Sequence, residues 1–303
     1  MTQFVRKSSR NPDRFGRRKF EGEARSRLSY ERNGEAFNRS QRVGQATSKP
    51  MGEGDLVRLS KRMSDLRLSS RREADAWIEK GWVSVNGKPA VLGQKVGIND
   101  KIVVNRQAQK EQSERVTIII NKPVGYVSGQ AEDGYEPARV LVNAQSRWHQ
   151  DKSPRHFHPK QLISLVPAGR LDIDSTGLLI LTQDGRVAKT IIDAQSTVDK
   201  EYIVRVVNSD GSTPPKFTPE RIALLRHGLS LDGKALLPAK IDVMNESELR
   251  FTLQEGKKRQ IRRMCEAVGL KVVRLKRVRI GNIRLGALPL GEWRYLDESE
   301  TIA

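Results

Sequence analysis

The spacing of apolar residues divides the chain into three parts, of which the first is the least patterned. Residues 1–54 contain few apolar side chains, and these follow neither a helical nor a strand period. The same stretch has 13 Lys and Arg against 6 Asp and Glu. This predicts a disordered basic arm, either a phosphate-binding element or a solubilising tail. The acidic residues Asp13, Glu21 and Glu23 argue against the rival interpretation, a mitochondrial presequence.

The second part, residues 55–105, begins with two predicted helices. Leu56 to Leu66 has the apolar spacing of a helix. Ser70 is a candidate N-cap for a second helix over Arg71 to Lys80, and Gly81 is a typical residue to follow a helix end. Basic side chains lie along both helices, so this small domain combines an apolar core face with a charged surface.

Strand signals follow these helices. In WVSVNGKPAV, Trp82 and Ser84 alternate with Val83 and Val85, as in a strand, and Asn86-Gly87 follows as a strong signal for a two-residue hairpin turn. Lys101 to Val104 predicts a further strand. Residues 106–115 are polar and are predicted to be a linker. The second part is therefore a small α/β domain separated from the remainder of the chain.

In the third part, residues 116–303, strand signals outnumber helical ones. A helix is predicted from Pro219 to His227 with Thr218 as its cap, and another from Lys258 to Val268. The predicted strands are Val116 to Asn121, Gly177 to Thr182, Glu201 to Val207, Ala239 to Met244 and Glu248 to Gln254. This pattern predicts an α+β domain with a mainly antiparallel, mixed sheet flanked by helices and loops.

The amino-acid composition indicates which class of partner the protein binds. The 303 residues have a net charge of +19 and a pI near 10.2, which favours a polyanion such as nucleic acid. No apolar run approaches the ~20 residues of a membrane span, and the first residues resemble no signal peptide, so we expect a cytoplasmic protein with no membrane partner. A single cysteine, Cys265, excludes an internal disulfide and the usual multi-cysteine zinc sites.

The stretch GRLDIDSTGLLILTQDG, residues 169–185, contains the most informative chemistry. Polar side chains crowd a segment just before an apolar strand, where a sheet can hold a catalytic loop rigidly. Asp and Ser are also ordinary turn residues. Asp172, Asp174 and Thr176 match the DxDxT motif of haloacid-dehalogenase-like phosphotransferases. That class expects a buried strand directly before the first Asp and a later acidic pair for its metal. Here no strand is predicted directly before Asp172, and the chain contains no Asp-Asp pair.

Two resemblances account for far more of the chain. The order of elements around SSRREADAWIEKG, VNGKPA and KVGINDKIVV resembles the RNA-binding module of ribosomal protein S4. Four ordered blocks resemble bacterial ribosomal RNA pseudouridine synthases of the RsuA family: NKPVGYVS, GRLDIDSTGLLILTQDG, KEYIVRV and EGKKRQIRRMCEAVG. Together with the tail RVRIGNIRLGALPLGEWRYL they cover nearly all of residues 56–296. The stretches RQIRRMCEAVG and GALPLGEWR are most similar to the RluF-type large-subunit (23S) enzymes.

The resemblance implies roles for four residues. Asp172 is the catalytic carboxylate, Tyr202 stacks on the uracil and assists proton transfer, and Arg170 fills the space left by the flipped base. Arg262 is expected to hold Asp172 ionised. Helical spacing agrees with this last role, because Arg262 lies at the edge of an apolar face that includes Cys265 and could reach a carboxylate.

The implied partner is ribosomal RNA, with 23S favoured, and the implied chemistry needs neither a metal nor an organic cofactor. We expect a monomer. Residues 257–284 contain eleven Lys and Arg and one acid, which favours a phosphate-binding groove. The candidate RNA-binding residues are Arg58, Arg71, Arg72, Lys122, Lys257, Lys258, Arg259 and Arg263, although Lys122 is also a candidate for shaping the loop beneath the site.

Two alternatives and one departure from the family remain. A noncatalytic ribosome assembly factor would use the S4-like module alone, and the same chemistry could act on small-subunit ribosomal RNA or transfer RNA. The connecting segment of residues 145–160 is longer than the corresponding connection between strands usually is in the family. Their His149, His156 and His158 could imitate a metal site, but the surrounding sequence is a polar surface segment.

Overall fold

The computed structural model describes residues 56–193, 195–297 and 299–302, so the predicted basic arm lies outside the described residues. The helices are α1 (Leu59–Asp65), α2 (Arg71–Glu79), α3 (Arg106–Ser113), α4 (Gly185–Ile192), α5 (Pro219–Arg226) and α6 (Gln260–Ala267). The strands are β1 (Val57–Arg58), β2 (Val83–Val85), β3 (Lys88–Pro89), β4 (Lys95–Val96), β5 (Ile102–Val104), β6 (Thr117–Lys122), β7 (Val166–Pro167), β8 (Thr176–Thr182), β9 (Lys200–Asn208), β10 (Ser230–Leu231), β11 (Lys234–Ala235), β12 (Lys240–Val243), β13 (Glu248–Leu253), β14 (Leu270–Ile280), β15 (Ile283–Arg284) and β16 (Trp293–Tyr295). Two 3-10 helices cover Ala138–Leu141 and Pro159–Leu162. None of the helices in these ranges is long and apolar enough to cross a membrane.

The predicted small domain folds around its own core. Helices α1 and α2 pack their apolar faces on a three-stranded sheet in the order β3-β2-β5. Ser70 caps α2 as predicted: its hydroxyl accepts from the Glu73 N–H, and the Glu73 carboxylate accepts from the Ser70 N–H. Asn86 and Gly87 both adopt positive φ in the hairpin between β2 and β3, which is the conformation that this pair favours.

The larger domain is built on one sheet, in the order β12-β13-β9-β14-β8-β6-β16. In addition, β7 pairs with β8 and β15 pairs with β14. Strands β14 and β8 are parallel, whereas the other neighbours in that order are antiparallel. The prediction of an α+β fold with a mainly antiparallel, mixed sheet is confirmed. Strand β14, which the sequence pattern did not reveal, is the central strand of that order.

Strand β8 shows why a continuous apolar run fits here. Leu179 and Leu181 pack on one face with the Trp293 and Tyr295 side chains, and Leu178 and Ile180 pack on the other. Because both faces are covered, this strand has no polar alternation over residues 178–181.

Helix α6 begins later than its apolar pattern suggested. Arg259 has a left-handed backbone, with φ of 50°, so it is the N-cap and the first helical residue is Gln260 rather than Lys258. Ile261, Met264 and Cys265 then pack against β14 and its neighbours. Burial raises the pKa of the Cys265 thiol to about 12, which agrees with packing rather than nucleophilic chemistry.

The small domain contacts the larger one through α4 and α3. A side chain at Gly185, the first residue of α4, would overlap Ser70. Arg115 forms an ion pair of 2.9 Å with the nearly buried Glu73, and the Lys189 ammonium donates to a carbonyl at the end of α1. The segment predicted as a linker is thus folded: Asn105 caps α3, and the buried side of α3 packs on the small domain.

Candidate active site

The loop of residues 169–175 leads directly into β8 and contains Arg170 and Asp172. Leu171, between these two residues, is buried. The Ser128 hydroxyl donates to the Leu171 carbonyl at 2.7 Å and accepts from the Leu171 N–H at 2.8 Å. The Ser175 N–H donates to the Asp172 carbonyl, which closes a turn. The backbone on both sides of Asp172 is therefore fixed, whereas Arg170 is exposed and Asp172 half-buried.

Lys122, at the end of β6, supports this loop from beneath. Its side chain is fully buried, and its ammonium donates to the carbonyls of Pro123, Tyr126 and Ile173. Burial lowers the pKa of Lys122 to about 8, assisted by the charge of Arg277 and opposed by nearby carboxylates. Because all three of its N–H donors face the protein's own carbonyls, Lys122 is withdrawn from RNA. Its assignment to RNA binding is therefore corrected in favour of shaping the loop.

Arg262 also reaches the loop, but at a different carboxylate from the expected one. Its Nη2 lies 3.0 Å from Asp174 Oδ1 and donates to the Asp174 carbonyl at 3.0 Å and to the Ser175 hydroxyl at 3.3 Å. Arg259 contacts the same carboxylate at 3.2 Å. The expected pairing with Asp172 is wrong in this structure, because the left-handed turn at Arg259 and the start of α6 bring these arginines to Asp174.

The side chain of Asp172 makes no hydrogen bond or ion pair with any other described residue. Tyr202 lies on β9, half-buried against the core that also contains Leu171. Arg277, on β14, is 3% exposed. Its Nη1 donates to the Arg170 carbonyl, and its Cζ lies 6.0 Å from the centre of the Tyr202 ring. One buried arginine, which the sequence patterns did not single out, thus contacts both the backbone of this loop at Arg170 and the ring of Tyr202.

Gly177 brings β14 to this position. It has φ of +105°, and a side chain there would overlap the Arg277 backbone. Gly177 and Arg277 are register partners where β8 and β14 run parallel. A glycine is required because no other residue allows both that backbone conformation and that close approach. Arg277 does not stand out in the sequence, because it is one of five Lys and Arg residues in β14.

The remaining candidate RNA-binding residues fall into two groups. Arg58, Arg71, Arg72 and Lys258 are exposed. The others have protein partners: Arg263 pairs with Asp232, Lys257 with Glu255, and Arg259 with Asp174. These pairs are at least partly solvent-exposed, so a phosphate could compete for them at small cost.

The insertion at residues 145–160 is ordered by one arginine. Arg147 pairs with Asp151, donates to the carbonyls of Ser153 and Arg155, and lies over the Tyr295 ring. Across the described ranges, no group of three His, Cys, Asp or Glu side chains is arranged to hold a metal ion, and this includes the three histidines of the insertion.

Comparisons with known proteins agree with this geometry. Residues 116–267 match the family described as RNA pseudouridylate synthase, and residues 57–102 match the S4 domain. The chain is 39% identical over 249 residues to "Dual-specificity RNA pseudouridine synthase RluF" of Escherichia coli (strain K12), covering 81% of this chain and 77% of that protein. It is 33% identical over 226 residues to "Ribosomal large subunit pseudouridine synthase B" of Bacillus subtilis (strain 168), covering 72% of this chain and 83% of that protein.

A solved structure described as a pseudouridylate synthase superposes with a TM-score of 0.53 at 26% identity, over 80% of this chain and 97% of the other. The family resemblance predicted from the sequence motifs is confirmed, as is the enzyme class. With its loop of Arg170 and Asp172 held against the central sheet and its S4 domain alongside, the chain belongs to the RNA pseudouridylate synthase family and is a pseudouridine synthase.

Proposed function

We propose that this enzyme converts specific uridines of ribosomal RNA, within the 23S molecule, to pseudouridine, with Asp172 as the catalytic residue. The supporting observation is the state of Asp172. Its backbone is fixed on both sides, while its carboxylate makes no hydrogen bond or ion pair with the other described residues. A carboxylate held in place by its backbone but left without a partner is available to a substrate.

The reaction balances without any added group. The bond between the ribose C1′ and N1 of uracil breaks, the base turns, and a bond forms between C1′ and C5; the proton leaving C5 is balanced by one gained at N1. Asp172 acts at the sugar, as nucleophile or as base. Tyr202 stacks on the uracil and receives or relays the C5 proton. The exposed Arg170 occupies the space that the flipped uridine leaves in the RNA stack, a step costing a few kcal/mol of unstacking.

Ribosomal RNA as the substrate is supported by the S4 domain and by the relative named as a large-subunit synthase. Arg71 and Arg72 stand exposed at the start of α2, where side chains and backbone N–H groups can meet phosphate oxygens. We further propose that the enzyme acts as a monomer in the cytoplasm, where it meets 23S RNA.

The first test replaces the catalytic carboxylate. Asp172→Asn should abolish pseudouridine formation on 23S RNA while RNA affinity stays within about tenfold, or ~1.4 kcal/mol, because phosphate contacts elsewhere carry the binding. Asp242→Asn is the matched control, since Asp242 is a partly exposed aspartate on β12, the edge strand of the same sheet, and should retain full turnover.

Chemical mapping of pseudouridines in RNA from cells with and without the gene identifies the site. A missing site in small-subunit RNA or transfer RNA would replace 23S as the substrate. Turnover by Asp172→Asn would refute the assignment of Asp172. Wild-type protein that binds ribosomal RNA tightly but modifies none would favour the noncatalytic assembly factor.

A further inference from the structure

Strands β9, β13 and β14 turn one face to the core and the other outward. Their buried side chains, such as Val204, Phe251 and Leu275, belong to one apolar core that α5 and α6 cover. Leu171, from the loop of residues 169–175, is part of that core, and Tyr202 packs against it. The catalytic loop therefore packs on the core side of these strands. The opposite side, which we call the outer face, carries their charged residues.

Two β-bulges in β14 bring additional basic side chains to the outer face. Arg274 and Lys276 lie in the regular middle of the strand and point to that face. Lys271 and Arg279 are each three residues from one of these two, so in a regular strand both would point to the core. A bulge on either side of the regular middle adds one residue to β14 and restores the phase. All four basic side chains therefore lie on the outer face.

The outer face has an excess of cations. On β9, β13 and β14 it carries two acids, Glu201 and Glu248. Its six basic residues are Arg205, Arg250, Lys271, Arg274, Lys276 and Arg279. Glu201 is bound by Arg250 and Arg279, and Glu248 accepts from the Asn245 amide. The remaining four basic residues, which we call the outer cations, form no ion pair or side-chain hydrogen bond with another described residue: Arg205, Lys271, Arg274 and Lys276.

Two of the outer cations stand directly opposite each other. Arg205 and Arg274 are register partners across β9 and β14, and both are exposed. Like charges in this arrangement repel each other and destabilise a sheet. A bound polyanion relieves the repulsion, because its phosphates neutralise the side chains and release counterions. The pair thus indicates a surface suited to an anionic partner rather than to the isolated protein.

The chemistry of the outer face favours an RNA duplex as that partner. The only aromatic residues of the three strands, Tyr202 and Phe251, pack on the core side. Aromatic side chains are typical of surfaces that bind single-stranded RNA and of protein interfaces. An RNA duplex instead presents a regular phosphate backbone, which exposed Arg and Lys side chains recognise by charge and shape.

We propose that the outer face is a second RNA-binding surface, which holds the phosphate backbone of a duplex segment of the RNA substrate on the side of the sheet away from the catalytic loop. This inference rests on the proposed function for the identity of that RNA, the 23S molecule. It divides the basic residues of 257–284 between two surfaces. Those of α6 lie beside the catalytic loop, whereas four of the five in β14 face the other way.

The test removes the opposed pair with the double variant Arg205→Gln, Arg274→Gln. Its affinity for 23S RNA should fall about tenfold near physiological salt, and the slope of log affinity against log salt should flatten by about 1–2. The single-turnover rate at saturating RNA should stay within about twofold. Its Tm should not fall, because the substitutions relieve the repulsion. A short stem-loop containing the target uridine, without further duplex, should bind as tightly as it binds the wild type.

Two controls separate this surface from the general charge of the protein. The double variant Lys152→Gln, Lys160→Gln removes the same charge from exposed positions of the 145–160 insertion. Its affinity for 23S RNA should change by less than twofold. Glu248→Gln removes an acid from the outer face, where Glu248 is the register partner of Arg205. This variant should bind 23S RNA about twofold more tightly, a change in the opposite direction.

Unchanged affinity of the Arg205→Gln, Arg274→Gln variant for 23S RNA would overturn the inference. If that variant also failed to sediment with ribosomal particles that the wild type joins, the face would belong to an acidic protein instead. Equal weakening for the short stem-loop would likewise refute it, because the outer cations would then act at the catalytic loop. If the double variant does not fold, Arg274→Gln alone should bind 23S RNA about threefold more weakly, and no loss would count against the proposal. Wild-type protein that binds 23S RNA without forming pseudouridine would refute the proposed function and not this surface.

Discussion

The S4 domain and the catalytic domain both rely on basic side chains, but they use them in opposite ways. Arg71 and Arg72 are exposed at the start of α2, with their donors open to solvent. Lys122, Arg262 and Arg277 are buried, and most of their donor nitrogens bond to the protein's own carbonyls, hydroxyls and carboxylates. In a protein with a net charge of +19, only part of the charge is therefore available to RNA.

This difference has an energetic basis. An exposed guanidinium binds phosphate by charge, and dissolved salt screens that attraction. A buried guanidinium is screened little and is costly unless its donors are filled, so it holds backbone in one geometry. Exposed cations should thus determine affinity, and buried ones should determine the rate of the chemical step.

The largest effect on this comparison is expected from Arg262. Arg262→Ala removes three contacts to Asp174 and Ser175, so the loop should lose its fixed position. We expect the single-turnover rate at saturating RNA to fall about 100-fold, with affinity within about threefold of wild type. Arg262→Lys should lose less than Arg262→Ala, because a point charge replaces the forked guanidinium but keeps its charge.

The neighbouring residue supplies the contrast. Arg263 pairs with the exposed Asp232, and Arg263→Ala should change affinity more than rate. If the two variants behaved alike, burial would not separate the two uses of a basic side chain.

A smaller effect is expected from the exposed pair. Replacing both Arg71 and Arg72 by Ala should weaken RNA binding by about tenfold near physiological salt and flatten the dependence of log affinity on log salt by about 1–2. The rate at saturating RNA should stay within about twofold. Binding isotherms at several salt concentrations and single-turnover rates give both values. A slowed chemical step with unchanged affinity would mean that the S4 arginines act in the active site.

The smallest effect tests whether the two domains work as a joined pair. A methyl group in Gly185→Ala would overlap Ser70 and should loosen the contact between α4 and α2. On the proposed function, in which both domains contact 23S RNA, we expect about threefold weaker binding of that RNA. A short stem-loop designed to reach the catalytic domain alone should bind with little change. Titrating each RNA against the variant measures this.

A second substitution sharpens that test. Ser70→Gly removes the side chain that Gly185→Ala would meet, and glycine at an N-cap costs only a few tenths of a kcal/mol. The double variant should recover wild-type affinity. Failure of this rescue would show that the contact at Gly185 does not govern binding.

Local sequence determined much of this fold. The capping box at Ser70, the hairpin at Asn86-Gly87 and the apolar runs of β6 and β8 depend on interactions within a few residues, so their patterns could be read directly. The motif containing Arg170 and Asp172 was likewise visible, because its residues are contiguous. The resemblance to the family followed from the order of such blocks, and the match of residues 116–267 to the family confirmed it.

Other features were decided only by the tertiary structure. Strand β14 was hidden because two register shifts, between Val272 and Arg274 and between Arg277 and Arg279, break the alternation that signals a strand. The burial of Lys122 and the pairing of Arg262 with Asp174 depend on elements distant in sequence that meet at the loop. A basic residue carries the same charge wherever it stands in the chain. Whether that charge faces RNA or a carbonyl is set by which strands the sheet places beside it.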